Sequence, residues 1–247
     1  MLPISISHTQ VVHLPNSTSR ITKVTVLLQE PILKKLVHLL ASALFWLAQP
    51  APAQTAGHVF TLDPSASQIR MYAFRAGQAR QFGHNHVLAA PRFTGEFVLS
   101  SQGPGQSHFD LAFRLDELEF DNPSHRSETG AAFATTLAPA LIESTREHML
   151  GEFNFQANQF PWVRIKSLQI VGETPRFAAR IAVEMHGQQR EAWVALNVQG
   201  LPERLQVEGS MVLVQSDFGV KPYSVLGGLL AVEDPVVIEF RLAGADK

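Results

Sequence analysis

The sequence of 247 residues contains no cysteine. Disulfide bridges, thiolate metal sites, iron–sulfur clusters and cysteine nucleophiles are therefore excluded. Charge is sparse and balanced: 20 Lys and Arg against 22 Asp and Glu give a net charge of −2. A chain without a basic excess is not expected to bind nucleic acid. Tyrosine (2) and tryptophan (3) are scarce while phenylalanine (16) is plentiful, which predicts a strongly apolar interior.

Common catalytic motifs are missing as well. The chain has no Gly-x-Ser-x-Gly elbow, and Gly227-Gly228 is not followed by the Lys and Ser or Thr of a phosphate-binding loop. The acidic pairs Asp116-Glu117 and Glu233-Asp234 stand beside expected strands and are interpreted as solvated turn residues. We therefore expect a binding protein and not an enzyme, with no catalytic residues and no cofactor other than a bound ligand.

Residues 33–53 have the pattern of a secretory signal peptide. Lys34 and Lys35 precede twelve mostly apolar residues (36–47), and Ala51-Pro52-Ala53 supplies a cleavage site. Twelve helical residues rise only ~18 Å, less than the ~30 Å hydrocarbon core of a bilayer, so a retained anchor is the weaker alternative. Cleavage near Ala53 predicts a bacterial periplasmic or secreted protein.

Residues 1–32 should not precede a signal peptide. They are rich in Ser, Thr and Val, and no pattern in them indicates a folded unit. We interpret them as an extension created by a start codon placed too far upstream, with an organelle transit peptide as the alternative. Residues 54–247 are then the mature domain.

Strict alternation of apolar and polar residues dominates the mature domain. In residues 108–116 and 176–186 the odd positions are apolar, and residues 93–99 and 205–213 repeat the pattern. Alternation of this length predicts antiparallel strands with one buried face. Further strand candidates are residues 58–62, 68–75, 162–171, 191–199 and 236–242.

These segments predict an all-β domain, a single antiparallel up-and-down barrel of about eight strands. Residues 137–150 are the exception, because their spacing favours a short helix in a long loop, ended by Gly151. A barrel of eight strands is either filled by side chains or holds one small ligand. The small residues Gly95, Ala112, Ala179 and Gly209 favour an open interior, although alternation alone leaves both possibilities open.

The motif Phe82–Leu88 carries two histidines. If the segment is extended, His84 and His86 point to one face, which suits a pair of metal ligands. His148 and His186 are candidates for completing such a site, and no carboxylate lies nearby in sequence. Three interpretations stay open: hydrogen bonds at the barrel rim, contact with a ligand headgroup, and metal or haem binding by His84, His86 and His148.

Four groups of motifs together resemble the YceI-like family of lipocalin-like, polyisoprenoid-binding proteins. They span residues 59–242 in the family's order. Residues 82–91 depart from its usual pattern by carrying the two histidines. The matching motifs are Phe60–Ser67; Glu147–Leu150 with Phe153, Phe160-Pro161 and Ile165-Lys166-Ser167; Val183–Arg190; and Ser216–Gly219 with Val232–Phe240.

The resemblance implies a lipocalin-like barrel around a long isoprenoid chain, a polyprenyl lipid or an isoprenoid quinone, in the periplasm or outside the cell. Transient contact with a membrane or membrane protein, and a homodimer, are left open. The competing hypotheses are a periplasmic metal- or haem-binding protein and an interaction module with a filled core. The residues expected to line the ligand site are Phe93, Phe97, Phe109, Leu111, Phe113, Phe177, Ile181, Met211 and Leu213.

Overall fold

The computed structural model describes residues 57–247. The expected N-terminal extension (1–32) and signal peptide (33–53), with its cleavage site, lie outside the described residues. In chain order the strands are β1 (His58–Leu62), β2 (Gln68–Ala73), β3 (Arg75–Ala76), β4 (His86–Ala89), β5 (Thr94–Leu99), β6 (His108–Arg114), β7 (Glu119–Phe120), β8 (Trp162–Glu173), β9 (Arg176–Met185), β10 (Gln188–Gln199), β11 (Leu205–Val214), β12 (Ser224–Val225), β13 (Leu230–Val232) and β14 (Pro235–Asp246). The helices are α1 (Pro123–Thr129) and α2 (Pro139–Leu150).

Eight antiparallel strands close into a barrel in the order β1-β5-β6-β8-β9-β10-β11-β14. The barrel closes where β14 pairs with β1, with Phe60 opposite Asp246. The first half of β14 pairs with β2, so β2, β4 and β7 continue β1, β5 and β6 along the wall. The all-β fold predicted from the alternation, a single antiparallel barrel of about eight strands, is confirmed.

Three neighbouring strands break at the same level of the barrel, at residues 63–67, 90–93 and 115–118. At each break the residues facing the interior change between even and odd numbers. They change from Leu62 to Met71, from Leu88 to Phe97 and from Leu111 to Leu118. Each break therefore holds an extra residue, as a β-bulge does, and this residue reverses which positions of the strand face the interior. The apolar face stays continuous because the neighbouring strands make the same reversal at the same level.

Strand β8 makes the same change without a break. Its pairing with β9 shifts between Ser167 and Gln169, and its interior residues pass from Ile165 to Ile170. Strands β9, β10, β11 and β14 keep one alternation throughout. The sequence pattern is clean in these four because no extra residue interrupts their period of two.

The helices lie between β7 and β8. Helix α2 ends at Leu150, directly before Gly151, as predicted. Helix α1 was not predicted; Asn122 caps it by accepting a hydrogen bond from the Ser124 N–H at 2.9 Å, and proline occupies its first turn. Among the described residues, neither helix is long and apolar enough to cross a bilayer.

A second apolar cluster lies on the opposite face of β2 and β4 from the main core. Tyr72 and Val87 are buried there beneath Phe133, a residue of the loop that joins the helices. The Phe133 ring meets Tyr72 edge-on at 5.7 Å and Phe74 at 5.9 Å. This loop covers the outside of the barrel beside the two histidines of the 82–88 motif.

Candidate ligand cavity

The barrel encloses a cavity of about 770 Å³ with a mostly apolar wall. Its wall includes Ser107 and Leu201 from the loops at one end and His84 and Tyr223 from the other, so it runs along the barrel. Ligand pockets in proteins typically measure about 300–1,000 Å³. The hypothesis of an interaction module with a filled core is wrong, because the interior holds space for a ligand.

Eight of the nine predicted lining residues form part of the cavity wall. They are Phe97, Phe109, Leu111, Phe113, Phe177, Ile181, Met211 and Leu213. Phe93 does not; it is 7% exposed and packs in the core, because it belongs to the break before β5 and not to the strand. That the eight contact a ligand stays a prediction.

The small residues do not create the cavity. Gly95, Ala112, Ala179 and Gly209 lie off the wall. A Cβ at Gly95 would come within 2.6 Å of the Asp110 carbonyl oxygen, so this glycine serves the close approach of β5 to β6.

Strand β14 and helix α2 supply wall residues that the sequence analysis missed. Ile238, Phe240 and Leu242 alternate along β14, and Leu141 and Met149 face the cavity from α2. The alternation in β14 was visible in the sequence, so these strand residues could have been named. No local sequence pattern in α2 indicated that one of its faces would cover an end of the barrel.

Three of the four candidate histidines lie at one end of the cavity: His84, His86 and His148. We call this the histidine end. His148 Nδ1 donates to the Ser144 carbonyl at 2.6 Å within its own helix. His186 lies off the cavity wall, in the turn between β9 and β10; its Nδ1 donates to the Phe218 carbonyl at 3.0 Å, a backbone hydrogen bond of the kind expected for a rim histidine.

Within residues 57–247, no three His, Asp or Glu side chains are grouped so that they could hold a metal ion. His84, His86 and His148 share the cavity end without forming such a cluster. Zinc sites need at least three protein ligands. The geometry therefore gives no support to the three-histidine metal site.

A buried carboxylate from the start of the α1 region reaches the histidine motif. Asp121 Oδ2 lies 2.7 Å from His86 Nδ1, while Asp121 Oδ1 accepts from the Val87 N–H at 3.0 Å and from Arg126 Nη1 at 2.6 Å. The Asp121 side chain has no exposed surface. No carboxylate lies near the histidines in sequence, but the fold brings one to them, since Asp121 is 35 residues from His86 along the chain.

Arg126 extends this network to two loops. It donates from Nη1 to the Asn85 carbonyl at 2.7 Å and from Nε to the Thr135 carbonyl at 3.0 Å. The Asn85 side chain also donates to the Ala132 carbonyl at 3.1 Å. The histidine motif is thereby fixed to α1 and to the loop that follows it.

The network shifts two pKa values. Burial alone would raise the pKa of Asp121, but hydrogen bonds from His86, Val87 and Arg126 and the attraction of His86 outweigh it and hold that pKa below its ordinary value. Burial lowers the pKa of His84, and repulsion between its protonated form and the basic groups of His86, Arg126 and Arg75 lowers that pKa further. Asp121 is thus an ionised carboxylate at neutral pH, and His84 favours its neutral form.

Comparison with known proteins places these features in a family. A family model described as a YceI-like domain matches residues 60–243. No curated protein matches the chain. Two solved structures share its fold at 14% sequence identity. Burkholderia cenocepacia BcnA aligns with a TM-score of 0.54 over 74% of this chain and 98% of its own. A polyisoprenoid binding domain from Saccharophagus degradans, implicated in plant cell wall breakdown, aligns with a TM-score of 0.50 over 76% and 98%.

Proposed function

The chain belongs to the YceI-like domain family, and from that membership and its cavity we propose that it is a carrier of a long-chain isoprenoid lipid, either a polyprenyl lipid or an isoprenoid quinone. The observation that carries the proposal is the apolar cavity along the barrel axis. An extended apolar chain fits such a space, with its polar group at the histidine end.

The apolar wall supplies the driving force for binding. Burial of apolar surface contributes about 25 cal/mol per Å². An isoprenoid tail of several hundred Å² would gain on the order of ten kcal/mol before the costs of ordering and association. Binding of this strength suits capture and transfer of a lipid that water does not dissolve.

Two further observations support the isoprenoid class and the place of action. The structurally similar domain from Saccharophagus degradans is described as polyisoprenoid binding. The lysines, apolar run and Ala51-Pro52-Ala53 at the N-terminus have the pattern of an export signal. We propose that the carrier works in the bacterial periplasm or outside the cell, by binding and not by catalysis, with transient membrane contact during loading.

Mass spectrometry of organic extracts tests the proposal. Protein purified from its native host should release a prenyl lipid or isoprenoid quinone in about equimolar amount. The variant Phe113→Asp, which places a charge on the cavity wall, should release little, whereas Arg114→Gln on the outer face should release as much as the wild type. Extracts dominated by straight-chain lipids would overturn the isoprenoid class, and wild-type extracts without lipid would overturn the carrier.

Metal analysis of the same protein tests the competing hypothesis. We expect no stoichiometric zinc, copper or haem, because two histidines without a third ligand bind metal weakly. A stoichiometric metal that His84→Ala with His86→Ala removes would favour the metal-binding alternative.

A further inference from the structure

Asp121 determines which nitrogen of His86 carries the proton. The carboxylate is an acceptor only, so the 2.7 Å contact with His86 Nδ1 requires a proton on Nδ1. In the neutral imidazole the second nitrogen, Nε2, then holds a lone pair and accepts hydrogen bonds. This is how a buried carboxylate fixes the tautomer of a functional histidine.

The Nε2 atom of His86 is free to contact a ligand. His86 forms part of the cavity wall, and its side chain is 13% exposed. Among residues 57–247 its side chain makes one hydrogen bond, through Nδ1. The histidine end thus presents a hydrogen-bond acceptor to a cavity whose wall is mostly apolar, and a polar group in such a place specifies the orientation of a ligand.

Of the two arginines near His86, Arg126 is buried in an ion pair, whereas Arg75 has no carboxylate partner among residues 57–247. Arg126 is 4% exposed and directs its guanidinium to Asp121 and two carbonyls. Arg75, which also lines the cavity, donates from Nη1 to the Gly83 carbonyl at 3.0 Å. At His86 itself an anionic group would meet the Nε2 lone pair with the Asp121 carboxylate behind it, so this position suits a hydroxyl donor better than a phosphate oxygen.

We propose that the histidine end recognises a hydroxyl group, which donates its hydrogen bond to His86 Nε2. The bound lipid is then an isoprenoid alcohol or a quinol, and quinones, ethers and esters of the same tail bind more weakly. This inference rests on the proposed lipid-carrier function. A quinone carbonyl has only lone pairs to offer, so it would leave His86 Nε2 without a partner.

The substitution Asp121→Asn should change this preference. Oδ1 of residue 121 faces two donors, the Val87 N–H and Arg126, so the amide oxygen of asparagine takes that place. Its NH₂ group then replaces Oδ2 and donates to His86 Nδ1. The proton of His86 moves to Nε2, which becomes a donor toward the cavity. His86→Phe removes the polar group while keeping a ring of similar shape.

Binding of matched ligands tests the inference. Dissociation constants are measured at about pH 8 for geranylgeraniol and its methyl ether, and anaerobically for a short-chain quinol and its quinone. We expect the wild type to bind each hydroxyl compound about 3- to 10-fold more tightly than its partner, the range of one net hydrogen bond. Asp121→Asn and His86→Phe should each abolish the preference, and ¹⁵N NMR should show the His86 proton on Nδ1 in the wild type and on Nε2 in Asp121→Asn.

The outcomes separate this inference from the function on which it rests. Tight but equal binding of alcohol and ether by the wild type would overturn hydroxyl recognition and leave the carrier intact. Failure of all four ligands to bind would overturn the carrier as well. If Asp121→Asn does not fold, a preference that survives in His86→Phe would still contradict the inference. Preference for geranylgeraniol over the quinol indicates a polyprenol-type lipid, and the reverse indicates a quinol.

Discussion

Arg126 and Asp121 form an ion pair in which Nη1 lies 2.6 Å from Oδ1 and the two side chains are 4% and 0% exposed. The pair connects helix α1 to the strand that carries His86. A buried charge is tolerated only with a partner and further hydrogen bonds, and both residues have them. This ion pair therefore contributes both to holding the covering loop and to ordering the polar end of the cavity.

Removing the positive partner should strongly destabilise the fold. Arg126→Met leaves the Asp121 carboxylate buried without its guanidinium, and losses of about 3–5 kcal/mol are typical of that change. Chemical denaturation measures it. The control is Arg241→Ala, since Arg241 and Glu208 pair at 3.3 Å with 74% and 57% of their side chains exposed, and such pairs contribute about 0–1 kcal/mol. Equal losses of unfolding free energy in both variants would contradict the claim that a buried ion pair stabilises the fold more than an exposed one.

Mild acid should weaken the fold through His84. The native pKa of His84 lies below its ordinary value of 6.5, so below pH 6.5 the unfolded chain takes up a proton that the native state takes up only at lower pH. The free energy of unfolding therefore falls as the pH drops from 6.5 through the native pKa, and then levels off. His84→Gln should reduce this slope, as denaturation between about pH 4.5 and 8 would show. Parallel curves for the two proteins would disprove the contribution.

Gly95 should not accept a side chain. The Cβ of alanine would lie 2.6 Å from the Asp110 carbonyl oxygen and 2.8 Å from Leu62 Cδ1, and a backbone oxygen cannot move away without breaking the pairing of β5 with β6. Overpacking of this kind costs about 1–3 kcal/mol. Gly105→Ala is the matched control, because a Cβ there meets nothing within 4 Å. Thermal unfolding that ranks the two variants equally would refute this account.

Much of the barrel could be predicted because alternation with a period of two depends only on the residues of one strand. It succeeded best in β9 and β11, which have no extra residue and whose four predicted lining residues, Phe177, Ile181, Met211 and Leu213, lie on the cavity wall. It failed at Phe93, where the break between β4 and β5 changes the phase. The sequence shows Pro91 in that break but not how many residues the bulge holds.

The Asp121 network could not be predicted from local patterns. Asp121-Asn122-Pro123 reads as a turn before a helix, and a turn aspartate is usually solvated. Its burial depends on three segments, distant in sequence, that meet at the barrel end: the histidine motif, α1 and the loop around Thr135. The histidines were visible as candidates, but the group that fixes the state of His86 appears only in three dimensions.

Filling the cavity should separate ligand binding from stability. Ile181 is 3% exposed and lies on the cavity wall in the middle of β9. In Ile181→Trp the indole can extend into the cavity instead of into packed side chains, so the usual cost of overpacking, about 1–3 kcal/mol, should largely be avoided. The same ring occupies the path of the lipid tail, and geranylgeraniol affinity should fall at least about tenfold, a loss of about 1.4 kcal/mol.

The neighbouring residue provides the control for this variant. Arg180 points outward and pairs with Glu191 at 2.9 Å on the exposed face of the barrel. Arg180→Gln should leave affinity unchanged and alter stability by no more than about 0.5 kcal/mol. Titration of both variants with the same lipid shows whether the lipid binds inside the barrel. The comparison is direct because the two residues are adjacent in β9 and lie on its opposite faces. Undiminished binding by a folded Ile181→Trp would place the lipid outside the barrel, and loss of binding in Arg180→Gln would place it on the outer face.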